Sequence, residues 1–319
     1  MNDAGNENIT RHFRTCQTCG QITSAEAPEC VHCGARSLHS VADVIQARRE
    51  ERFIRAFFSR ATPVTYVIFG FNLLIYVLMA AVHGSQFPAR LIAPATAPVL
   101  LAFGAKTNYL LLQGDYFRLI TPIFIHIGLL HIASNSYALW MIGPHVEKLY
   151  GSARFALIYL LTGAGGVVGS LIGVQLLHRP DGPGAGASGA LFGLFGVLTV
   201  FGFRYRAELP PPFRRAFGAG VLPVILLNLY IGFAFPFIDN AAHIGGLLTG
   251  IVLALVLPWL KPGEERTTNF GLAMLALCVA VVACSFARAY QQSGKYLPRK
   301  TRAPQVASLQ VIQSNISGG

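Results

Sequence analysis

Long apolar runs separated by short polar segments dominate the chain after residue 62. Each run is close to the roughly 20 residues that a helix needs to cross a bilayer. The pattern predicts seven transmembrane spans, at 63–83, 128–147, 153–177, 188–203, 217–236, 240–260 and 268–288. We therefore expect an all-α polytopic membrane protein with polar segments at both termini.

The composition supports this interpretation and limits the choice of partners. The chain is 53% hydrophobic and only 12% charged, which is too apolar for an ordinary soluble protein. Its formal net charge of +11 is compatible with nucleic-acid binding. However, the basic residues flank the apolar runs, where membrane topology and lipid headgroups favour them. We therefore expect the lipid bilayer, and no nucleic acid, as a partner.

The basic residues also indicate an orientation. Most of the 25 Lys and Arg residues fall on one side of the predicted spans when the N terminus is placed inside. We therefore expect a multi-pass protein of the bacterial inner membrane with a cytoplasmic N terminus. The basic tail at 291–319 is the exception: either the last run does not cross, or the earlier charges dominate. We favour crossing.

The polar N-terminal segment, residues 1–40, contains two CxxC motifs, Cys16 with Cys19 and Cys30 with Cys33. Four thiolates at this spacing suit one tetrahedral zinc ion. Two disulfides are the alternative, but they would need an oxidising compartment. We expect a zinc-ribbon-like module in which structural zinc supplies most of the folding energy, because so short a segment has little core. A cytoplasmic partner of this module is a further expectation.

Two other segments have compositions typical of a membrane interface. Residues 41–62 combine arginines with aromatic and aliphatic residues, which predicts a basic amphipathic helix lying on the membrane surface, aromatic side down. A solvated linker helix is the alternative. The long segment at 84–127 carries too little charge for a solvated loop, and we expect it to lie partly in the bilayer interface.

Polar side chains inside the predicted spans mark a candidate site, because such residues are costly in lipid. A rise of about 1.5 Å per residue, counted from the charged inner end of each span, puts His131, Asn135, Ser188 and His243 in the same half of the bilayer. His243 beside Ser188 is the minimal arrangement for nucleophilic catalysis. His131 and Asn135 share a helix face and can donate hydrogen bonds to an oxyanion. Asp239 is expected at the water boundary, so the sequence favours a dyad over a triad.

Glycines four residues apart suggest how these spans come together. Gly189 and Gly193 follow the serine, and Gly246 and Gly250 follow the histidine. Small residues at this spacing let helix backbones approach closely, so contact between the two faces would bring Ser188 near His243. Plain helix packing is the alternative.

A set of motifs in a fixed order lies within residues 63 to 260. It comprises Phe-Arg-Leu-Ile-Thr at 117–121, His126 with His131 and Asn135, Gly143 with Glu147, Gly-Ala-Ser-Gly at 186–189, and Ala-His-Ile-Gly-Gly-Leu-Leu-Thr-Gly at 242–250. With these motifs the chain resembles the rhomboid intramembrane serine proteases.

The resemblance implies a six-helix core at 63–262 with Ser188 as nucleophile, His243 as general base, and His131 and Asn135 stabilising the oxyanion. It implies no catalytic cofactor. The implied substrates are transmembrane segments of single-span proteins, which enter laterally past a mobile fifth span. A seventh helix, here at 263–290, and a zinc-ribbon-like extension occur in part of the family. Phe117 stands where tryptophan is usual, which leaves the anchoring of its loop open.

Three rival functions remain to be weighed. A catalytically silent rhomboid-like protein would bind membrane clients without cutting them, but both Ser188 and His243 are present. A transporter would also place polar residues at membrane depth, yet the sequence has no visible inverted repeat. An intramembrane metalloprotease would need HExxH, which the sequence lacks.

Overall fold

The computed structural model describes residues 13–35, 41–178, 180–235, 237–262 and 269–297, without the side chains of 41–43. The first twelve residues of the expected zinc module and most of the tail at 291–319 lie outside this part of the chain. A hairpin of β1 (Phe13–Thr15) and β2 (Ile22–Ser24) comes first. The helices are α1 (Val41–Ser59), α2 (Pro63–Ala81), α3 (Phe87–Arg90), α4 (Ala97–Phe103), α5 (Asn108–Leu112), α6 (Leu129–Tyr150), α7 (Ser152–Leu176), α8 (Ser188–Arg204), α9 (Pro211–Ala216), α10 (Leu222–Ala234), α11 (Asn240–Val256) and α12 (Asn269–Ser293).

Each predicted span corresponds to one apolar helix, in agreement with an all-α polytopic membrane fold. Three segments of the described chain are long and apolar enough to cross a membrane, namely Val44–Ala81, Ser152–Leu176 and Asn269–Ser293. Three shorter apolar helices accompany them, at Ser188–Arg204, Gly218–Ala234 and Asn240–Val256. The main difference in bounds is at the fifth run, where a 3₁₀ turn, Gly218–Val221, precedes α10.

Helix α8 lies at the centre of the bundle, and glycine contacts hold α7 and α11 against it. A Cβ added to Gly246 would lie 3.2 Å from the Cα of Gly189, and one added to Gly250 would lie 2.8 Å from the Cα of Gly193. The backbones of α8 and α11 therefore touch along one stripe, which only residues without side chains allow. The two glycine faces that the sequence singled out do meet.

A buried carboxylate joins the beginnings of α2 and α7. Glu147, 1% exposed, accepts hydrogen bonds from the backbone N–H groups of Val64 (3.0 Å) and Thr65 (2.8 Å). It also accepts from the hydroxyls of Thr65 (2.7 Å) and Ser152 (2.6 Å). Glu147 thereby satisfies first-turn donors of α2 that have no partner within the helix.

The segment between α2 and α6 is anchored by a buried arginine. Arg118 is 0% exposed and donates to the carbonyls of Leu101 (3.1 Å) and Ala105 (2.7 Å) and to the carboxylate of Asp115 (3.2 Å). It also donates to the hydroxyl of Tyr296, just beyond α12 (3.2 Å). Its guanidinium lies 4.8 Å from the ring centroid of Phe117, so phenylalanine makes the aromatic contact at this position.

The aromatic face of α1 differs from the sequence-based expectation. Phe53 and Phe57 are 3% and 4% exposed, and both pack edge-on against Phe213 of α9, at centroid distances of 5.1 and 4.9 Å. Phe53 also contacts Trp259. Phe53 and Phe57 therefore pack on the bundle, because α9 and the segment after α11 offer them a protein surface in place of lipid, whereas Phe58 is 65% exposed.

Candidate active site

Ser188 is the first residue of α8 and follows a tight glycine turn. Gly186 has φ +130°, a conformation that residues with a Cβ rarely adopt, and its N–H donates to the carbonyl of Pro122 (2.8 Å). The first bond of α8 runs from the N–H of Leu191 to the carbonyl of Ala187 (3.0 Å). The N–H groups of Ser188 and Gly189 precede it and have no helical partner, so they can serve an anion.

His243 lies one turn inside α11 and is held by an aromatic ring of α8. It is 7% exposed, and its imidazole stacks on Phe192 at a centroid distance of 4.1 Å with 7° between the planes. Phe192 is four residues after Ser188, so both lie on the same face of α8. A Cβ on Gly189 would lie 3.5 Å from the carbonyl oxygen of Ala242, the neighbour of His243. Ser188 and His243 therefore sit at the same α8–α11 contact.

No hydrogen bond joins the two groups in the described part of the chain. Ser188 is half-buried, and the Nδ1 atom of His243 is buried without a hydrogen-bond partner there. Catalytic hydrogen bonds are often long before substrate binds. The glycine contact and the aromatic stack set the position of the imidazole, and its ring nitrogens remain available to the hydroxyl and to the substrate.

His131 and Asn135 of α6 lie against the turn that leads to Ser188. A Cβ on Gly186 would lie 2.6 Å from Nε2 of His131 and 3.5 Å from Nδ2 of Asn135. The Nδ2 atom of Asn135 is buried and has no hydrogen-bond partner among the described residues. Two side-chain donors therefore converge on the backbone beside Ser188, as an oxyanion site requires.

His126 sits next to this cluster in a way that the sequence did not indicate. Helix α6 begins at Leu129, so His126 belongs to the preceding loop and not to the helix of His131. Its ring is 0% exposed and lies edge-on to that of His131 at a centroid distance of 5.2 Å. His126 therefore supports the imidazole of His131 from the side of the loop.

Asp239 lies at the start of the helix that carries His243. It is half-buried and is the N-cap residue of α11, where its Oδ1 accepts from the N–H of Ala242 (3.0 Å). The carbonyl of Asp239 accepts from the N–H of His243 (3.2 Å). Asp239 thus fixes the turn that carries His243, although its carboxylate makes no hydrogen bond to the imidazole within the described residues.

The N-terminal cysteines form a separate cluster outside the helical bundle. The sulfur atoms of Cys16, Cys19, Cys30 and Cys33 all lie within 4.8 Å of one another. Two pairs, Cys16 with Cys33 and Cys19 with Cys30, are 3.7 Å apart, and all four thiols are free. Backbone N–H groups of Cys19 and Thr18 lower the pKa of the Cys16 thiol to about 6. The cluster has the donors and spacing to hold a metal ion.

Comparison with known proteins connects this site to one family. Residues 113–259, which include all four candidate catalytic residues, match the Rhomboid domain. Rhomboid protease GluP of Bacillus subtilis is 36% identical over 239 residues, which cover 75% of this chain and 42% of that protein.

Two further relatives extend the comparison. RHOMBOID-like protein 5 of Arabidopsis thaliana is 30% identical over 192 residues, covering 58% of each chain. The putative rhomboid protease YdcA of Bacillus subtilis is 33% identical over 144 residues, covering 45% of this chain and 68% of that protein. The chain thus spans about half the length of the first two of these relatives.

Proposed function

The chain belongs to the rhomboid family, and on this premise we propose that it is an intramembrane serine protease that cleaves transmembrane segments of single-span membrane proteins. The observation that carries the proposal is the position of His243, stacked on Phe192 at the glycine contact where α8 begins with Ser188. Nucleophile and base come from two helices whose backbones touch, so their relative position is rigid.

In the proposed reaction Ser188 attacks the scissile carbonyl while His243 accepts the hydroxyl proton. The new C–O bond converts the carbonyl to a tetrahedral oxyanion. His131, Asn135 and the first N–H groups of α8 donate hydrogen bonds to it. His243 then gives the proton to the leaving amine as the C–N bond breaks. A water molecule, activated by the same imidazole, hydrolyses the acyl-enzyme and restores Ser188.

Substrate access fits the loose packing of α10. Of its residues only Ile225 and Gly232 are buried, whereas Leu226, Tyr230 and Phe233 are 65%, 72% and 73% exposed. A helix held by so few contacts can move at low cost. We propose that a transmembrane substrate enters beside α10 and unwinds near Ser188, because a helical peptide bond is already hydrogen-bonded and closed to attack.

The thiol cluster supports a structural zinc ion in the N-terminal module. Four sulfurs at about 2.3 Å from a tetrahedral zinc ion would be roughly 3.8 Å apart, and two of the sulfur pairs are 3.7 Å apart. A disulfide would bring sulfurs to about 2.0 Å. Cys16, Cys19, Cys30 and Cys33 would hold the ion, which takes no part in peptide hydrolysis.

The proposal extends to domain organisation and location. We divide the chain into a zinc-ribbon-like module at 1–40, a linker helix at 41–62, a six-helix core at 63–262, a seventh helix at 263–290 and a tail at 291–319. The basic flanks favour a cytoplasmic N terminus in a bacterial inner membrane. A soluble partner of the N-terminal module belongs to the same proposal.

A reconstituted cleavage assay tests the activity. Purified protein is incorporated into lipid vesicles with a panel of single-span segments, and wild type is compared with Ser188→Ala. We expect cleavage of at least one segment by wild type and none by the variant. Cleavage at equal rates would contradict the serine mechanism, and binding of segments by both proteins without cleavage would favour the catalytically silent alternative.

A further inference from the structure

A lysine in the loop between α4 and α5 is buried where no mechanism so far requires it. Lys106 is 3% exposed, although lysine is almost never buried without a partner. It lies in the same outer segment as Arg118, but its side chain points in another direction, toward α7. A buried ammonium needs a compensating charge, because transfer of an ion out of water is costly.

The side chain of Lys106 is linked to the helix of the proposed base through one serine. Its Nζ donates to Oγ of Ser170 on α7 (2.9 Å), and the Ser170 hydroxyl donates to Oδ2 of Asp239. The other oxygen of Asp239, Oδ1, caps the first turn of α11. Ser170 is 3% exposed, so this chain of hydrogen bonds is shielded from water where it crosses α7.

The backbone of Lys106 is linked to the segment of the proposed nucleophile. Its N–H donates to the carbonyl of Gly184 (2.9 Å), and the N–H of Gly184 donates to the carbonyl of Lys106 (2.8 Å). This two-way bridge pairs the outer loop with the glycine-rich segment that leads to Ser188. Lys106 is therefore linked to both members of the dyad. Its main chain bonds to the segment before Ser188, and its side chain is linked through Ser170 to the helix of His243.

Burial and the neighbouring carboxylates have opposite effects on the pKa of Lys106. Burial lowers the pKa of Lys106, whereas the carboxylates of Asp239 and Asp181 act in the opposite direction. The charged or titratable groups that act on His243 are Asp239 on its own helix and His131 on α6, with Lys106 behind Asp239. The neighbouring groups from the other two helices are uncharged. Ser170 of α7 contacts Asp239, and the ring of Phe192 of α8 contacts the imidazole of His243.

We propose that Lys106 is a positioning residue for the dyad, which acts through Ser170 and Asp239 to fix the first turn of α11 and to neutralise Asp239 beside His243. The inference rests on the proposed serine protease function. Without the ammonium, no cation among the described residues compensates the Asp239 carboxylate, which then stabilises the protonated imidazole. The base form of His243 is then reached only at higher pH.

The test measures the rate at which a fluorophosphonate probe modifies Ser188, as a function of pH, in the full-length protein in lipid nanodiscs. The hydroxyl forms a P–O bond, fluoride leaves, and the proton passes to His243. We expect Lys106→Met to slow labelling about tenfold or more at neutral pH, as a displaced base does. We also expect the pH at half-maximal rate to rise by about half a unit or more.

Asp239→Asn provides the opposite perturbation. It removes the negative charge and keeps an oxygen for the cap, so the half-maximal pH should fall; in the double variant with Lys106→Met it should return toward the wild-type value. A purely structural role for Lys106 would lower the rate without moving the midpoint. Lys148→Met is the matched control. Lys148 lies near the C-terminal end of α6, whereas His131 lies near its N-terminal end, so this variant should leave the midpoint unchanged.

The outcomes separate this inference from the activity on which it rests. If Ser188→Ala is labelled as fast as wild type, the proposed function fails. If labelling depends on Ser188 but Lys106→Met and Lys148→Met share the wild-type midpoint, the positioning role is overturned. If Lys106→Met does not fold, Asp239→Asn alone tests the link. An unchanged pH at half-maximal rate in that variant would mean that the link does not reach His243.

Discussion

The glycine contact between α8 and α11 should be necessary for activity, and Gly246→Ala tests it with the addition of one methyl group. The new Cβ would collide with the carbonyl oxygen of Gly189 and lie 2.7 Å from its carbonyl carbon, whereas ordinary Cβ contacts begin near 3.4 Å. Backbone on both sides leaves no side chain that can rotate away. The helices must therefore separate by roughly 1 Å, a displacement that can cost about a hundredfold in rate at a catalytic site.

Two measurements on the same preparation make this prediction refutable. The rate of Ser188 labelling by a fluorophosphonate should fall about a hundredfold, while thermal unfolding should show a loss of only about 1–3 kcal/mol, as expected for overpacking. Gly70→Ala on α2 is the matched control, because its Cβ would have no atom within 4 Å. A folded Gly246→Ala variant that labels at the wild-type rate would refute the role of this contact.

Three further predictions concern the supports around the site. Glu147→Ala leaves two backbone N–H donors of α2 without their acceptor and should lower the free energy of unfolding by about 2–5 kcal/mol. The control is Glu51→Ala, which removes an exposed ion pair. Tyr296→Phe removes an acceptor from Arg118 and should cost about 1–3 kcal/mol in the same assay; no change would mean that the contact with the end of α12 is dispensable. Zinc binds deprotonated thiolates, and protons compete with it for the same sulfur atoms. Zinc bound at pH 7 should therefore be released on acidification, followed with a chelating dye; retention of zinc at pH 4 would contradict a thiolate site.

The membrane helices could be predicted, and candidate site residues proposed, because both depend on local signals. Hydropathy gives the position of a membrane helix almost independently of its neighbours, since a helix satisfies its own backbone hydrogen bonds in lipid. Polar residues at membrane depth stand out for the same reason, and on this basis Ser188, His243, His131 and Asn135 are proposed as site residues. Glycine spacing then indicated which helix faces meet.

The features that the sequence did not reveal depend on tertiary contacts. Lys106 and Ser170 belong to segments far apart in the chain, and nothing in either segment specifies that they meet beside Asp239. The sequence of α1 is compatible with an aromatic face that contacts lipid or one that contacts protein. Only the tertiary contact with α9 distinguishes the two. The contact of His126 with the ring of His131 likewise depends on how the loop before α6 folds back on that helix.

The central claim is that Ser188 is activated by His243. Intact-mass analysis after fluorophosphonate treatment, with the adduct mapped to a peptide, tests it most directly. We predict one adduct on Ser188 in the wild type, none in Ser188→Ala, and a rate lower by at least about a hundredfold in His243→Ala. An adduct on another residue, or wild-type labelling of Ser188 in His243→Ala, would contradict the account.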